Sequence, residues 1–313
     1  MNLSDNLSDW LFTFTVQIIG MGVIPLVIYK FWVKESIVSS FGIKFKISPW
    51  VYLLAIAIGI VLHFVIVGVS VIWQNVCILL GFTPVNGAGT VYSGPEVLVM
   101  SLLCTAVLPG IFEEITYRGL GLQMLDGVND ERTKVLVIGL LFGLGHQFVL
   151  QTGYAFVAGM VFAYVAIKCR SIVPGMIIHF LNNAISVISE YSRQKNGFVH
   201  AAETVMNNVL FHSWGSLIIF LAIEIAALLL LLYTVKRVCV GKKVIETQAG
   251  DTFYYGNSPQ CIDDIFGVPT TRKKTEAMIE KPSVKWYEYA FLYGSIAVTW
   301  LITLFTFIWG VWR

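Results

Sequence analysis

Charge is what this sequence has least of. Asp, Glu, Lys and Arg make up 13% of its 313 residues against 57% hydrophobic ones, and the mean hydropathy is +0.75. That balance excludes a soluble globular domain. The net charge is only +2, and the Lys and Arg residues stand in short clusters between apolar runs, which excludes nucleic acid as a partner. Cysteine is scarce too. Cys77, Cys104, Cys169, Cys239 and Cys261 are odd in number, widely spaced and without a CxxC pair. They argue against a disulfide framework or a zinc knuckle and read as scattered small apolar residues. Internal repeats and low-complexity tracts are absent. The first apolar run follows Asp5 and Asp9 and precedes Lys30 and Lys34; lacking a basic leader, it is expected to be a retained span.

What the sequence has is long apolar runs. A spanning helix needs about 20 mostly apolar residues, and on that template the chain is predicted to be an all-α, polytopic transmembrane bundle of roughly eight spans. They run from about Trp10 to Val33, Trp50 to Trp73, Pro95 onward, Lys134 to Gln151, Tyr154 to Lys168, Ile172 to Tyr191, Trp214 to Val235 and Tyr287 to Trp312. Basic residues cluster after spans one, three, five and seven, and residues 1–9 and 75–95 have no Lys or Arg. The positive-inside rule then predicts both termini outside. The expected organisation is 1–94 with two spans and an outer Gly-rich loop, 95–191 as a core of spans three to six, 192–235 with an outer loop and span seven, 236–285 as a basic cytosolic segment, and 286–313 with span eight. Basic residues of 236–285 beside a bilayer are read as topology and attraction to anionic lipid.

One stretch breaks the pattern. PGIFEEITYRGL places Glu113, Glu114 and Arg118 inside span three. A charge at the bilayer centre costs roughly 2.5–3.5 kcal/mol, so such residues face a polar interior and serve a function. Adjacent helical residues diverge by about 100°, so the two glutamates are expected to do different things. Glu114 and Arg118 stand at i, i+4 in the favoured order for an ion pair. Glu113 points elsewhere, without a local cation, as a general base would. Pro109, four residues earlier, removes a backbone hydrogen bond and is expected to kink the helix.

His146, in FGLGH on span four, and His179, in HFLNN on span six, are two further polar residues at membrane depth. With Glu113 they are costly unless all three converge on one cavity. Two His and one Glu make a catalytic zinc (Zn2+) set with an open position. The same groups also work without metal, with Glu113 and His146 activating water while His179 and Asn183 donate to a developing oxyanion. A proton or ion relay is the competing reading of such residues. If span four starts at Lys134, His146 lies about 18 Å along it, deeper than His179, so convergence needs tilt or an earlier helix start.

The motifs have a known counterpart. EEITYR (Glu113 to Arg118), Phe142 to His146 and His179 to Asn183 match, in order, the EExxxR, FxxxH and HxxxN motifs, and over residues 95–190 the chain resembles the CAAX prenyl protease and bacteriocin-processing (CPBP) family of intramembrane proteases. The resemblance implies an endopeptidase similar to the type II CAAX enzymes, with Glu113 as catalytic base. Glu114, Arg118 and Phe142 would support it, His146 and His179 would complete a water-activating or metal-binding centre, and Asn183 would bind the oxyanion, with Asn182 as its neighbouring rival. The implied substrate is a membrane-bound peptide or lipidated protein, at a bacterial cell membrane in preference to the endoplasmic reticulum. The alternative under the same resemblance is a non-proteolytic immunity or scaffold protein that keeps the motif. A proton-coupled transporter would need two similar halves, which the sequence lacks. Two features stand outside the motifs. Glu224 sits mid-span in span seven, and Gly159 with Ala163 form a small-xxx-small pair suited to close helix packing.

Overall fold

The computed structural model of the chain describes residues 3–32, 42–84, 90–125, 128, 130–201, 204, 208, 213–239, 244–246, 252–254, 297, 300–309 and 311. Helix α1 runs through Leu3–Phe14, a π-helical stretch Thr15–Val23 and Ile24–Trp32; α2 is Pro49–Leu79. Helix α3 covers Pro95–Gly121 and alternates α-helical and π-helical turns, the latter at Leu102–Val107 and Ile115–Gly121. Then come α4 (Glu131–Gly145), α5 (Val149–Cys169), α6 (Val173–Gln194), α7 (Trp214–Cys239) and α8 (Trp300–Trp309). Strands β1 (Val244–Glu246) and β2 (Thr252–Tyr254) pair antiparallel as a short hairpin. It lies in the basic segment expected at 236–285, most of which falls outside the described residues, as does Cys261.

Among the described residues five helical stretches are long and apolar enough to cross a membrane: Leu7–Val27, α2, α3, α5 and α7. The chain is an integral membrane protein. The other three expected spans are not among these five. Helix α4 has 15 residues, short of the ~20 that a bilayer requires. Helix α6 has 22 but carries His179, Asn182, Asn183, Glu190 and Arg193, and α8 is described over ten residues.

Local chemistry sets the helix ends. Proline opens α2, α3 and α6 within the first two positions, where its missing N–H would have had no partner anyway. Asp130 caps α4, accepting from the Arg132 and Thr133 amides and the Thr133 hydroxyl. These bonds, the Thr133 hydroxyl first, hold its carboxyl below the usual carboxylate range. The cap is thus intact above that range and is lost as the pH falls through the depressed value. Pro109 sits at the start of the α-helical turn Leu108–Glu114, directly after the π turn Leu102–Val107. The expected disruption there takes the form of a locally widened helix.

The main core joins α2, α4, α5, α6 and α7 around Ile58, Leu62, Phe142, Phe162 and Ile178. Helix α7 presents Leu217, Leu221, Leu228 and Val235 inward and leaves Ile218, Ile219, Ile223, Leu229 and Leu230 exposed, an inward stripe against a lipid-facing remainder. Leu221 fills the notch at Gly68 of α2, where a Cβ would lie 2.9 Å from its Cδ1. Glu224 is half-buried on the same helix. Helices α4 and α5 approach closely through glycine. A Cβ on Gly159 would stand 2.9 Å from the Phe142 Cβ and 3.0 Å from the Gly139 Cα, while Ala163, one turn on, is fully buried. Gly159→Ala must therefore push the two helices apart, with an expected loss of about 1–3 kcal/mol, read as a lower unfolding temperature in detergent.

At the end of α5 and α7 the Cys169 and Cys239 thiols lie 2.9 Å apart, both as free cysteines. Their 70-residue separation hid this contact from any spacing rule. Mild oxidation of the protein in membranes is expected to link the two, and peptide mass spectrometry should show the linked pair in the native chain and lose it in Cys169→Ser.

Candidate active site

Helix α3 delivers the two glutamates to different neighbours. Glu114 is 0% exposed and Arg118, one turn later, is 2%. The guanidinium Nη1 donates to Glu114 Oε1 at 2.9 Å and Nη2 to the Gly159 carbonyl at 3.0 Å. Its plane rests over the Phe142 and Phe162 rings, 4.4 and 5.0 Å from their centroids, an arrangement suited to a buried guanidinium. A glycine stands opposite as well. A Cβ on Gly175, at the start of α6, would lie 3.0 Å from Glu114 Oε2.

Glu114 has a second duty. Its Oε1 also accepts from His179 Nδ1 at 3.0 Å. Because a carboxylate paired to arginine only accepts, the His179 proton sits on Nδ1 and its Nε2 becomes the working nitrogen. The ring is stacked on Phe162 at 4.9 Å and meets the Phe142 edge at 5.6 Å, so its orientation is fixed on three sides. Its Nε2 faces Glu113 Oε2 at 4.0 Å, a gap that one water spans with ordinary hydrogen bonds to both.

His146 stands at the break after α4. The helix ends at Gly145, and Gln147 turns with a φ of 54° before α5 begins at Val149. The expected continuous span through His146 is thereby replaced by a short helix and a turn. Its Nδ1 donates to the Phe142 carbonyl at 2.8 Å, leaving Nε2 as its working nitrogen, as in His179. The ring lies 5.0 Å from Phe142, so both imidazoles flank one phenyl ring. The Tyr117 hydroxyl occupies the space where Gly145 would carry a Cβ.

The two amides are engaged differently. Asn183 donates to the Thr105 carbonyl at 2.9 Å and accepts from Asn182 at 3.2 Å, so one of its two N–H groups is committed to α3. Asn182 is the more buried of the two, and its Oδ1 has no hydrogen-bond partner among the described residues. A further residue escaped the motif reading entirely. Gln17, on α1, donates from Nε2 to Glu113 Oε1 at 2.7 Å. The signal was available, since glutamine in an otherwise apolar span is itself an expensive residue.

A zinc ion would need three converging ligands here. Among the described residues no three His, Cys, Asp or Glu side chains come together to hold one. The Glu113 and His179 pair is suitably spaced, but His146 does not close the set, so the residues as placed do not fit a Glu113–His146–His179 metal centre.

A stacked, carboxylate-anchored histidine facing a buried glutamate across a water-sized gap can hold a water molecule between an acceptor nitrogen and a carboxylate. Comparison with known families bears on the same segment: residues 95–185 match the family model of the type II CAAX prenyl endopeptidases, Rce1-like. That segment is similar to the Rce1-like family. It holds Glu113, Glu114, Arg118, Phe142, His146, His179 and Asn183 within less than a third of the chain, while Gln17 and all of α1, α2, α7 and α8 lie outside it. No curated protein and no solved structure matches the chain.

Proposed function

We propose that the chain is an intramembrane endopeptidase that hydrolyses a peptide bond in a membrane-associated or prenylated, CAAX-type protein or peptide. The observation that carries this reading is the facing pair, Glu113 Oε2 and His179 Nε2 at 4.0 Å, inside an Rce1-like segment. Water held between them gives its proton to Glu113 as its oxygen attacks the scissile carbonyl carbon. The oxyanion takes a hydrogen bond from the remaining Asn183 N–H, and the bare Nε2 of His146 accepts one from the substrate. Glu113 then passes its proton to the leaving nitrogen, and the carboxylate is restored. Glu114, tied to Arg118, holds His179 in the tautomer that leaves Nε2 bare toward the water. The basic loops are assigned to the cytosol and both termini to the outside, and reporter fusions at each end check that orientation.

The test compares membranes containing the native chain with those containing Glu113→Ala. Peptides that accumulate uncut only in the variant, identified by mass spectrometry, are the substrates. An unchanged peptide set, together with no cleavage of a prenylated CAAX-type peptide by the purified native protein, would leave a non-proteolytic binding role. Because His146 does not close a three-ligand set, chelators are expected to leave cleavage within about twofold. A chelator-induced loss that zinc alone restores would show that His146 joins Glu113 and His179 on a metal.

A further inference from the structure

We propose that Gln17, carried by the N-terminal helix outside the Rce1-like segment, is a positioning residue for Glu113; this rests on Glu113 being the base. The two side chains are 96 residues apart in sequence, both buried, and joined at 2.7 Å. The bond uses Oε1 and leaves Oε2 turned to His179 Nε2. A glutamate side chain has three rotatable bonds, and this donor selects the rotamer that keeps the working oxygen on the imidazole. Gln17 has no other evident reason to be buried. Its own Oε1 has no hydrogen-bond partner among the described residues, so the cost of burying the amide is offset only at Glu113.

The helix around Gln17 is shaped for this contact. Thr15–Val23 is π-helical, with the Ile24 amide bonded five residues back to the Ile19 carbonyl. In an α-helix residues 17 and 22 would point about 140° apart, whereas five-residue pairing brings them near one face. Both face α3. A Cβ on Gly22 would lie 2.7 Å from the Phe112 ring, and the Thr116 hydroxyl donates to the Met21 carbonyl between them. Residues 112, 113 and 116 of α3 are thus gripped by 22, 17 and 21 of α1, which fixes the register at which Gln17 meets the carboxylate. The chain therefore completes its site with an element that the matched domain does not include.

Kinetics and stability test this together, on the full chain in liposomes with a fluorogenic peptide ending in a prenylated CAAX-type sequence. Gln17→Met keeps the length and removes the donor. Its kcat is expected to fall about tenfold to a hundredfold with KM within about twofold, because substrate binding is untouched while the base loses its orientation. Gln17→Asn, which keeps an amide but withdraws it, is expected to fall in the same way and serves if the methionine variant does not fold. Independently of activity, the unfolding-temperature shifts of Gln17→Met and Glu113→Ala are expected not to add in the double variant, since each removes one side of the same contact. A kcat within about twofold of native in Gln17→Met, or strictly additive thermal shifts, overturns the assignment. If the native protein does not cleave the peptide while Glu113→Ala behaves identically, the protease reading fails instead, and the thermal cycle still decides whether Gln17 and Glu113 act together.

Discussion

Replacing Arg118 by leucine is expected to cost about 3–5 kcal/mol of stability, enough to leave little folded protein. The side chains of Arg118 and Glu114 are both 0% exposed, so removing the guanidinium strands a carboxylate in an apolar interior. The carboxylate has little in reserve, since its Oε2 already has no hydrogen-bond partner among the described residues. Only the His179 Nδ1–H on Oε1 would remain. Lysine is not an adequate substitute. It presents a point charge where the guanidinium fork bonds Glu114 and the Gly159 carbonyl at once, and it would lose much of the stacking on Phe142 and Phe162. The double replacement Glu114→Leu with Arg118→Leu is expected to recover most of the stability, because an apolar pair avoids the desolvation that the ion pair must offset. Cleavage is not expected to return with it, as His179 would have no acceptor for its Nδ1 proton. Thermal unfolding in detergent beside a cleavage assay separates the two effects. An Arg118→Leu protein as stable as the native one would mean that the pair is not buried by helix packing.

That division of labour shows what a sequence can and cannot carry. The Glu114–Arg118 pair was legible because one helical turn links its members, and local geometry needs no knowledge of the fold. The divergence of the two glutamates followed from the same 100° step. The second duty of Glu114, toward His179 on α6, was not legible, since no periodicity reports which helix packs on which. The end of α4 at Gly145 was hidden because the apolar pattern runs on through Phe148 and Val149, so the run reads as one span until tertiary packing divides it. Gln17 was missed for a related reason. A single glutamine among apolar residues states that some partner exists without saying that it lies 96 residues away. Its meeting with Glu113 also depends on π-helical turns, whose five-residue pairing lies outside the 3.6-residue period by which helical faces are read. Asn183 shows the converse limit. Its motif position is plain, yet its bond to Thr105 could come only from the packing of α6 against α3.

Glu113→Gln is expected to lower kcat by about 10²–10⁴-fold while leaving the fold intact. The replacement is isosteric, and its amide oxygen can still accept from Gln17 Nε2, while its NH₂ group faces the bare Nε2 of His179 across the same 4.0 Å gap. The native hydrogen bond from Gln17 thus has a counterpart in the variant, so the unfolding temperature should barely move. What is lost is the capacity to take a proton from water. Glu113→Asp sharpens the point from the other side, for it keeps the carboxylate but draws it back by one methylene. A displacement on the order of 1 Å is expected to cost about a hundredfold, with kcat falling and KM held. Glu114→Gln, one residue along and chemically the same change, is expected to act first on stability, because it leaves Arg118 charged without a counter-ion in the core. Two adjacent glutamates, given the same substitution, should therefore fail by different routes: Glu113 with a folded and inactive protein, Glu114 with an unstable one. Equal thermal losses in the two variants would mean that Glu113 is a second structural carboxylate, and the water-activating role would then have to pass to His179.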